Sequence, residues 1–301
     1  MLIDDYVGYL KSVEGKSNGT ISQYKISVTL FTKYMKEYRF SITRESIKKV
    51  KVPDIYGFLD SLVKEDPKDK MNNKNGSRRN KISALKSFFE YCKTIELITH
   101  NIIVDLKKQP KIPTRLPKYF NLEQIKHLLE SVGKRNYTRD KLMIVLFLNT
   151  GLRLAELIKL NTDCIKDDDL TIIGKGDKER NIFLSAPLIN SIKEYLEQRP
   201  KTDNPALFIS ERGNRIGKGA VQNVLRTTIK RAGLKTEDDS DVLVHILRHS
   251  FATIKYQTGT DIIELQYLLG HEDIVTTKRY VQVDKRKMKE HADNSIMNTI
   301  I

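Results

Sequence analysis

The run His245-Ile246-Leu247-Arg248-His249, followed by Leu269-Gly270-His271 and then by Tyr280, decides how the second half of the chain is read. Upstream, Thr150-Gly151-Leu152-Arg153-Leu154-Ala155-Glu156-Leu157 supplies another arginine. Two arginines, two histidines and a tyrosine make the set that a phosphodiester under attack by a tyrosine requires. The pentavalent phosphate gathers negative charge on its non-bridging oxygens, and guanidinium forks match that geometry bidentately. A tyrosine hydroxyl acting as covalent nucleophile stores the energy of the broken bond, so no ATP is needed. His245 and Arg248 are three apart and project from one helix face. Glu156 lies one turn on from Arg153, also on one face. Taken singly, each residue has an ordinary reading as well. Arg153 reads as a surface arginine, Glu156 as half of a helix ion pair, His271 as a polar surface residue, and Tyr280 as one of 13 tyrosines, most of which pack. His249, four residues from His245, raises a metal reading, but H-E-x-x-H needs glutamate where Ile246 stands. Asp167-Asp168-Asp169 precedes a strand pattern and reads as a solvated loop. Neither metal nor cofactor is expected.

The segment 165–184 breaks the helical pattern around these motifs. Leu170-Thr171-Ile172-Ile173 and Asn181-Ile182-Phe183-Leu184 flank Gly174-Lys175-Gly176-Asp177-Lys178, which predicts a hairpin. The two glycines at its tip permit a tight turn at Lys175. Elsewhere the period is helical. Residues 140–150, DKLMIVLFLNT, are apolar on nearly every side, which predicts a buried helix. Helical patterns return at 186–198, 218–232, 243–257, 261–269 and 273–280. Residues 1–106 predict a small bundle of four or five helices. Its stripes are Tyr6, Tyr9, Leu10 and Val13; Ile21, Tyr24, Val28, Phe31 and Met35, with Thr20 as cap; Ile55, Phe58, Leu59 and Leu62; and Ile82, Leu85, Phe88, Phe89 and Cys92. Three prolines and five basic residues (Lys107, Lys108, Lys111, Arg115 and Lys118) mark 107–118 as a linker. The domain reading is therefore 1–106, linker 107–118, and 119–301.

Charge bounds the function. Among 301 residues, 53 Lys+Arg against 38 Asp+Glu leave a formal net charge of +15. Such an excess suits a polyanion partner, because neutralised phosphates release condensed counterions. The basic linker suits a strap along a DNA backbone, and equally a solvated hinge. No apolar run is long enough to span a membrane, and the N-terminus lacks the pattern of a signal peptide. Cys92 and Cys164 form neither a disulfide framework nor a zinc set, and a reducing cytoplasm suits both.

TGLRLAEL, GKGDKER, HILRHSFAT and LGHEDIVTTKRY, in that order, resemble the boxes of the tyrosine recombinases, the phage integrase family. The resemblance implies a mainly α, α+β chain. A SAM-like helical core-binding domain would precede a mixed helical catalytic domain of the DNA breaking-rejoining type. It implies the simpler Xer-like two-domain form, without an arm-binding domain. By carry-over, Arg153 and Arg248 clamp the scissile phosphate, with His245 beside them, and His271 hydrogen-bonds it. Lys175 protonates the departing 5′ oxygen, and Tyr280 is the nucleophile. Glu156 and His249 support the site. Lys178 and Arg180, near the hairpin tip, are expected to contact backbone phosphates or solvent, like the five linker residues. The implied activity is site-specific recombination of double-stranded DNA through a 3′-phosphotyrosine and a Holliday junction. It serves either integration and excision or dimer resolution. The implied assembly is a tetramer on paired inverted half-sites, cytoplasmic and nucleoid-associated, with Ile296, Met297, Ile300 and Ile301 docked on a neighbouring protomer. The rival readings are a type IB topoisomerase-like relaxing enzyme and a catalytically decayed DNA-binding protein.

Overall fold

The computed structural model describes residues 2–64, 75–110, 118–174, 178–234 and 240–280. Lys111, Arg115, Lys175, Ile296, Met297, Ile300 and Ile301 lie outside them. The chain divides into two compact units, Met1–Thr114 and Arg115–Ile301.

The first unit is helical: α1 (Leu2–Ser12), α2 (Asn18–Tyr38), α3 (Val52–Lys64) and α4 (Asn75–Thr94). The apolar stripes face one another as their 3–4 spacing requires. Phe31 meets the ring of Phe58 edge-on at 5.4 Å, and Tyr6 meets Phe88 in the same way at 5.3 Å. Two local expectations are corrected. The Ser17 hydroxyl, not Thr20, caps α2, accepting from the Thr20 amide at 3.3 Å. Serine starts the helix three residues earlier because its oxygen reaches the orphan amide of the first turn. Val13 is 70% exposed, because α1 stops at Ser12 and leaves it outside the stripe.

The second unit surrounds its most apolar helix. It contains α5 (Leu122–Glu130), α6 (Tyr137–Thr150), α7 (Leu154–Lys159), a small sheet, then α8 (Ala186–Gln198), α9 (Lys218–Arg231), α10 (Ser240–Gln257), α11 (Ile262–Leu269) and α12 (Ile274–Lys278). Leu142, Met143, Ile144, Leu146 and Phe147 of α6 are all buried, against α8 on one side and α10 on another. Gly151 ends α6 with φ +61°, and a Cβ there would lie 2.5 Å from the Phe251 ring. Both the left-handed backbone and the close approach of α10 demand glycine. Strands β1 (Ile165–Lys166), β2 (Asp169–Ile173) and β3 (Glu179–Phe183) form an antiparallel sheet in that order. Leu170 pairs with Ile182 and Ile172 with Arg180, so one face of the hairpin carries all four inward. Among the described residues, no helix is long and apolar enough to cross a membrane.

Candidate active site

Arg153 sits at the entrance to α7, immediately after the Gly151 turn. Glu156 reaches back to it twice: the Arg153 amide donates to Oε2 at 2.8 Å, and Nη1 donates to Oε1 at 2.8 Å. The acidic side chain thereby closes the helix start and fixes its arginine. Arg153 keeps 38% of its side chain exposed, whereas Glu156 keeps 5%.

Three arginines converge on the C-terminal end of α11. Arg180 Nε donates to the carbonyl of Leu268 at 3.1 Å, Arg248 Nη2 to that of Leu269, and Arg153 Nη2 to that of Gly270 at 2.9 Å. The last carbonyls of a helix lack intrahelical partners and carry its negative dipole end, so cations dock there readily. Arg248 also donates through Nη1 to the Gly151 carbonyl. Gly270 ends α11 in the left-handed region, at φ +58°, a conformation that glycine adopts without strain.

His271 follows directly. Its Nδ1 lies 2.9 Å from Thr277 Oγ1, and its carbonyl accepts from Gln266. Asp273 caps α12, its carboxylate accepting from the Val275 amide at 2.8 Å. One turn beyond, Tyr280 is 1% exposed, with its ring among Phe251, Ala252, Leu265 and Leu269. The Tyr280 hydroxyl lies 2.7 Å from His249 Nδ1.

One open cleft of about 690 Å³ is lined by Arg153, Arg180, His245, Arg248, His249, His271, Arg279 and Tyr280. Lys178 also lines it, exposed, and donates to Glu272 at 3.2 Å. Lys107 and Lys108 are exposed in the first unit, and Lys118 is exposed in the second. Arg180 corrects the expectation that it contacts DNA phosphates or solvent. It is 6% exposed, and it grips Glu156 through Nη2 at 2.8 Å and Nη1 at 3.2 Å. Strand alternation turns it inward, two residues from buried Ile182. Among the residues that went unread in the sequence are Arg279, which lines the cleft, and buried Thr277, whose hydroxyl meets His271. The only local hint was the basic Lys278-Arg279 pair beside Tyr280.

Burial sets the protonation of the cleft. It pushes the Glu156 carboxyl up, but the hydrogen bonds and charge of Arg180, with those of Arg153, prevail and bring it down to about 2. Burial, then the Arg153 charge, lowers Arg248 to about 9, which still leaves it a cation at neutral pH. Burial, then nearby charges, lowers His249 to about 4 and His271 to about 3, so both rings are neutral. Burial raises Tyr280, while Arg248 and Arg279 pull it back. The resting cleft therefore joins guanidinium cations, neutral imidazoles and a neutral phenol.

The histidines make stability fall with acid. An unfolded histidine takes up its proton near 6.5, but His249 and His271 in the fold resist until about 4 and about 3. The unfolded state thus binds more protons as pH drops below about 6.5, and stability declines towards pH 4 and below. Thermal melts across that range check this, and His271→Gln flattens the decline. An unchanged slope in that variant contradicts it.

The phage integrase family model matches residues 118–287, and that of its N-terminal SAM-like domain matches residues 3–94. A relative named tyrosine recombinase XerC, from Caldanaerobacter subterraneus subsp. tengcongensis, is 35% identical over 96% of this chain and 85% of its own. A tyrosine recombinase XerD from Listeria innocua is 32% identical over 96% of each chain. Among solved structures, the XerH site-specific recombinase in a post-cleavage complex with palindromic difH substrate superposes with TM-score 0.75 at 26% identity. That match covers 91% of this chain and 79% of that one. A lambda integrase dimer on a COC' core site shares the fold, with TM-score 0.74 at 17% identity, over 95% of each chain. The chain belongs to the phage integrase family and is a tyrosine-type site-specific DNA recombinase.

Proposed function

We propose that Tyr280 attacks the scissile phosphate to give a 3′-phosphotyrosine, and that the freed 5′ hydroxyl of a second duplex then displaces it. The reading rests above all on one observation: Tyr280 lines the same cleft as Arg153, Arg248 and His271. The phosphate takes its place between the two arginines, whose contacts strengthen as charge builds on its oxygens. In this reading the Thr277 hydroxyl donates to His271 Nδ1, 2.9 Å away, which leaves the ring proton on Nε2 for a phosphate oxygen. His249, held neutral, accepts the phenol proton as the tyrosine attacks. His245 joins the phosphate contacts from one turn before His249. Lys175, which lies between β2 and β3 in the sequence, protonates the departing 5′ oxygen. The bond from phosphorus to the Tyr280 oxygen forms as that to the 5′ oxygen breaks, and the 5′ oxygen leaves with the electron pair; one phosphate ester replaces another, so no cofactor is consumed.

In this reading, residues 1–106 form a core-type DNA-binding domain, 107–118 a basic strap, and 119–301 the catalytic domain. Four protomers act on two sites, each built of inverted half-sites, through a Holliday junction. Lys107, Lys108, Lys111, Arg115, Lys118 and Lys178 supply backbone contacts. Binding then weakens steeply with salt, with a slope of about −0.9 per phosphate neutralised. A flat response from low to moderate salt, read by gel shift on a selected duplex, contradicts this. The apolar end Ile296, Met297, Ile300 and Ile301 docks on the neighbouring protomer, because such ends call for cover. Deleting residues 294–301 leaves single-site binding intact and impairs recombination. Full-rate recombination by the truncated protein sinks the docking idea.

The activity itself is tested with a suicide duplex nicked beside the cleavage point. Transfer of a labelled strand to a second duplex supports recombination. An adduct that only reseals its own strand supports a relaxing enzyme, and binding without an adduct supports a decayed one.

A further inference from the structure

Glu156 is shared by two guanidiniums of opposite character. Arg153 is partly exposed in the cleft, and Arg180, which also lines it, is only 6% exposed. Oε1 accepts from Arg153 Nη1 at 2.8 Å and Arg180 Nη1 at 3.2 Å. Oε2 accepts from the Arg153 amide and from Arg180 Nη2, both at 2.8 Å. Arg180 Nε is spent on the Leu268 carbonyl, so all three of its nitrogens are bonded inside the protein.

We propose that Arg180 is a positioning residue for strand cleavage: it neutralises buried Glu156, so that Arg153 keeps its full positive charge for the scissile phosphate. This rests on the reading of Arg153 as a phosphate clamp. A buried carboxylate demands a cation, because an unpaired charge away from water is costly. With Arg153 as sole partner, Glu156 would cancel the charge that the transition state needs. With Arg180 present, Arg153, Glu156 and Arg180 together carry one net positive charge, and Arg248 adds a second. The fork also fixes where Glu156 points, and through it the guanidinium of Arg153. Among the described residues, the charged groups around this carboxylate are Arg153 at the start of α7, Arg180 from β3 and Arg248 from α10. The end of α11 contributes carbonyls.

The test is the single-turnover rate of adduct formation on a suicide duplex, at saturating protein, with duplex affinity measured alongside. Arg180→Met is expected to slow the adduct about tenfold, less than the roughly 10²–10³ of losing a direct donor, with affinity nearly unchanged. Its rate relative to wild type then climbs as pH falls towards the carboxylate range, because protonating Glu156 releases Arg153. Wild type shows no such gain, since two arginines hold Glu156 ionised. Arg180→Met combined with Glu156→Gln restores most of the rate and loses the pH dependence. Arg180→Lys keeps the charge and most of the rate, and it decides the matter if the methionine variant does not fold. A deficit in Arg180→Met that is constant with pH, a rate equal to wild type, or a lysine variant as slow as the methionine one overturns the proposal. Wild type that forms no adduct at all overturns the underlying reading, and the proposal with it.

Discussion

Tyr280→Phe forms no covalent protein–DNA adduct and binds duplex as wild type does. The ring is packed among Phe251, Ala252, Leu265 and Leu269, and phenylalanine preserves that packing. What is lost is the hydroxyl and its 2.7 Å contact with His249. One such hydrogen bond contributes about 0.5–1.5 kcal/mol, so the fold survives. The charge of the cleft is unchanged, so affinity for the phosphate backbone is kept. Tyr267 is the other tyrosine of the cleft, 56% exposed, with its hydroxyl near the Asn181 amide. An adduct persisting in Tyr280→Phe would move the nucleophile there, and Tyr267→Phe in the same background would then remove it. Denaturing gels on a labelled suicide duplex read both outcomes.

Loss of either cleft arginine has the next largest effect. Arg153→Gln lowers the adduct rate by about 10²–10³, or about 2.7–4 kcal/mol, while duplex affinity falls far less. The asymmetry follows because the guanidinium meets more negative charge in the transition state than in bound DNA. Arg248→Gln shows the same rate loss and an additional loss of stability. Arg248 is 3% exposed and bonds the Gly151 and Leu269 carbonyls, so its removal orphans buried acceptors, each costing about 1–3 kcal/mol. The two variants thus separate in thermal melts and coincide in chemistry. Equal fold-losses in affinity and in adduct rate would make both arginines ordinary phosphate contacts.

The helices were legible because their buried stripes repeat at the helical period. Ile55, Phe58, Leu59 and Leu62 face the core of the first unit, and the all-apolar run of α6 became the centre of the second. Gly174 and the flanking β-rich runs revealed the hairpin, although β3 begins two residues earlier than its apolar run. The inward turn of Arg180 was readable in principle, since it lies two residues from Ile182 on a strand. A basic residue beside a glycine-rich tip invites a surface reading, and only the buried Glu156 opposite reverses it. That partner is 24 residues away and sits on a helix, so no local pattern links the two. The docking of three arginines on the end of α11 was hidden for the same reason, because it joins α7, β3 and α10 through backbone carbonyls that carry no sequence signal. The burial of Tyr280 against His249 likewise depends on how α10 and α12 pack, which spacing alone does not determine.

The central claim, that Tyr280 carries the DNA strand through a covalent intermediate to a new partner, is tested most directly by trapping wild-type protein on a suicide duplex selected for binding. The adduct is digested and its phosphotyrosine peptide located by mass spectrometry, and a second duplex with a free 5′ hydroxyl is then supplied. The account predicts a 3′-linked adduct on Tyr280 that disappears as the labelled strand joins the second duplex. An adduct on another residue, or one on Tyr280 that never transfers to the second duplex, would contradict it.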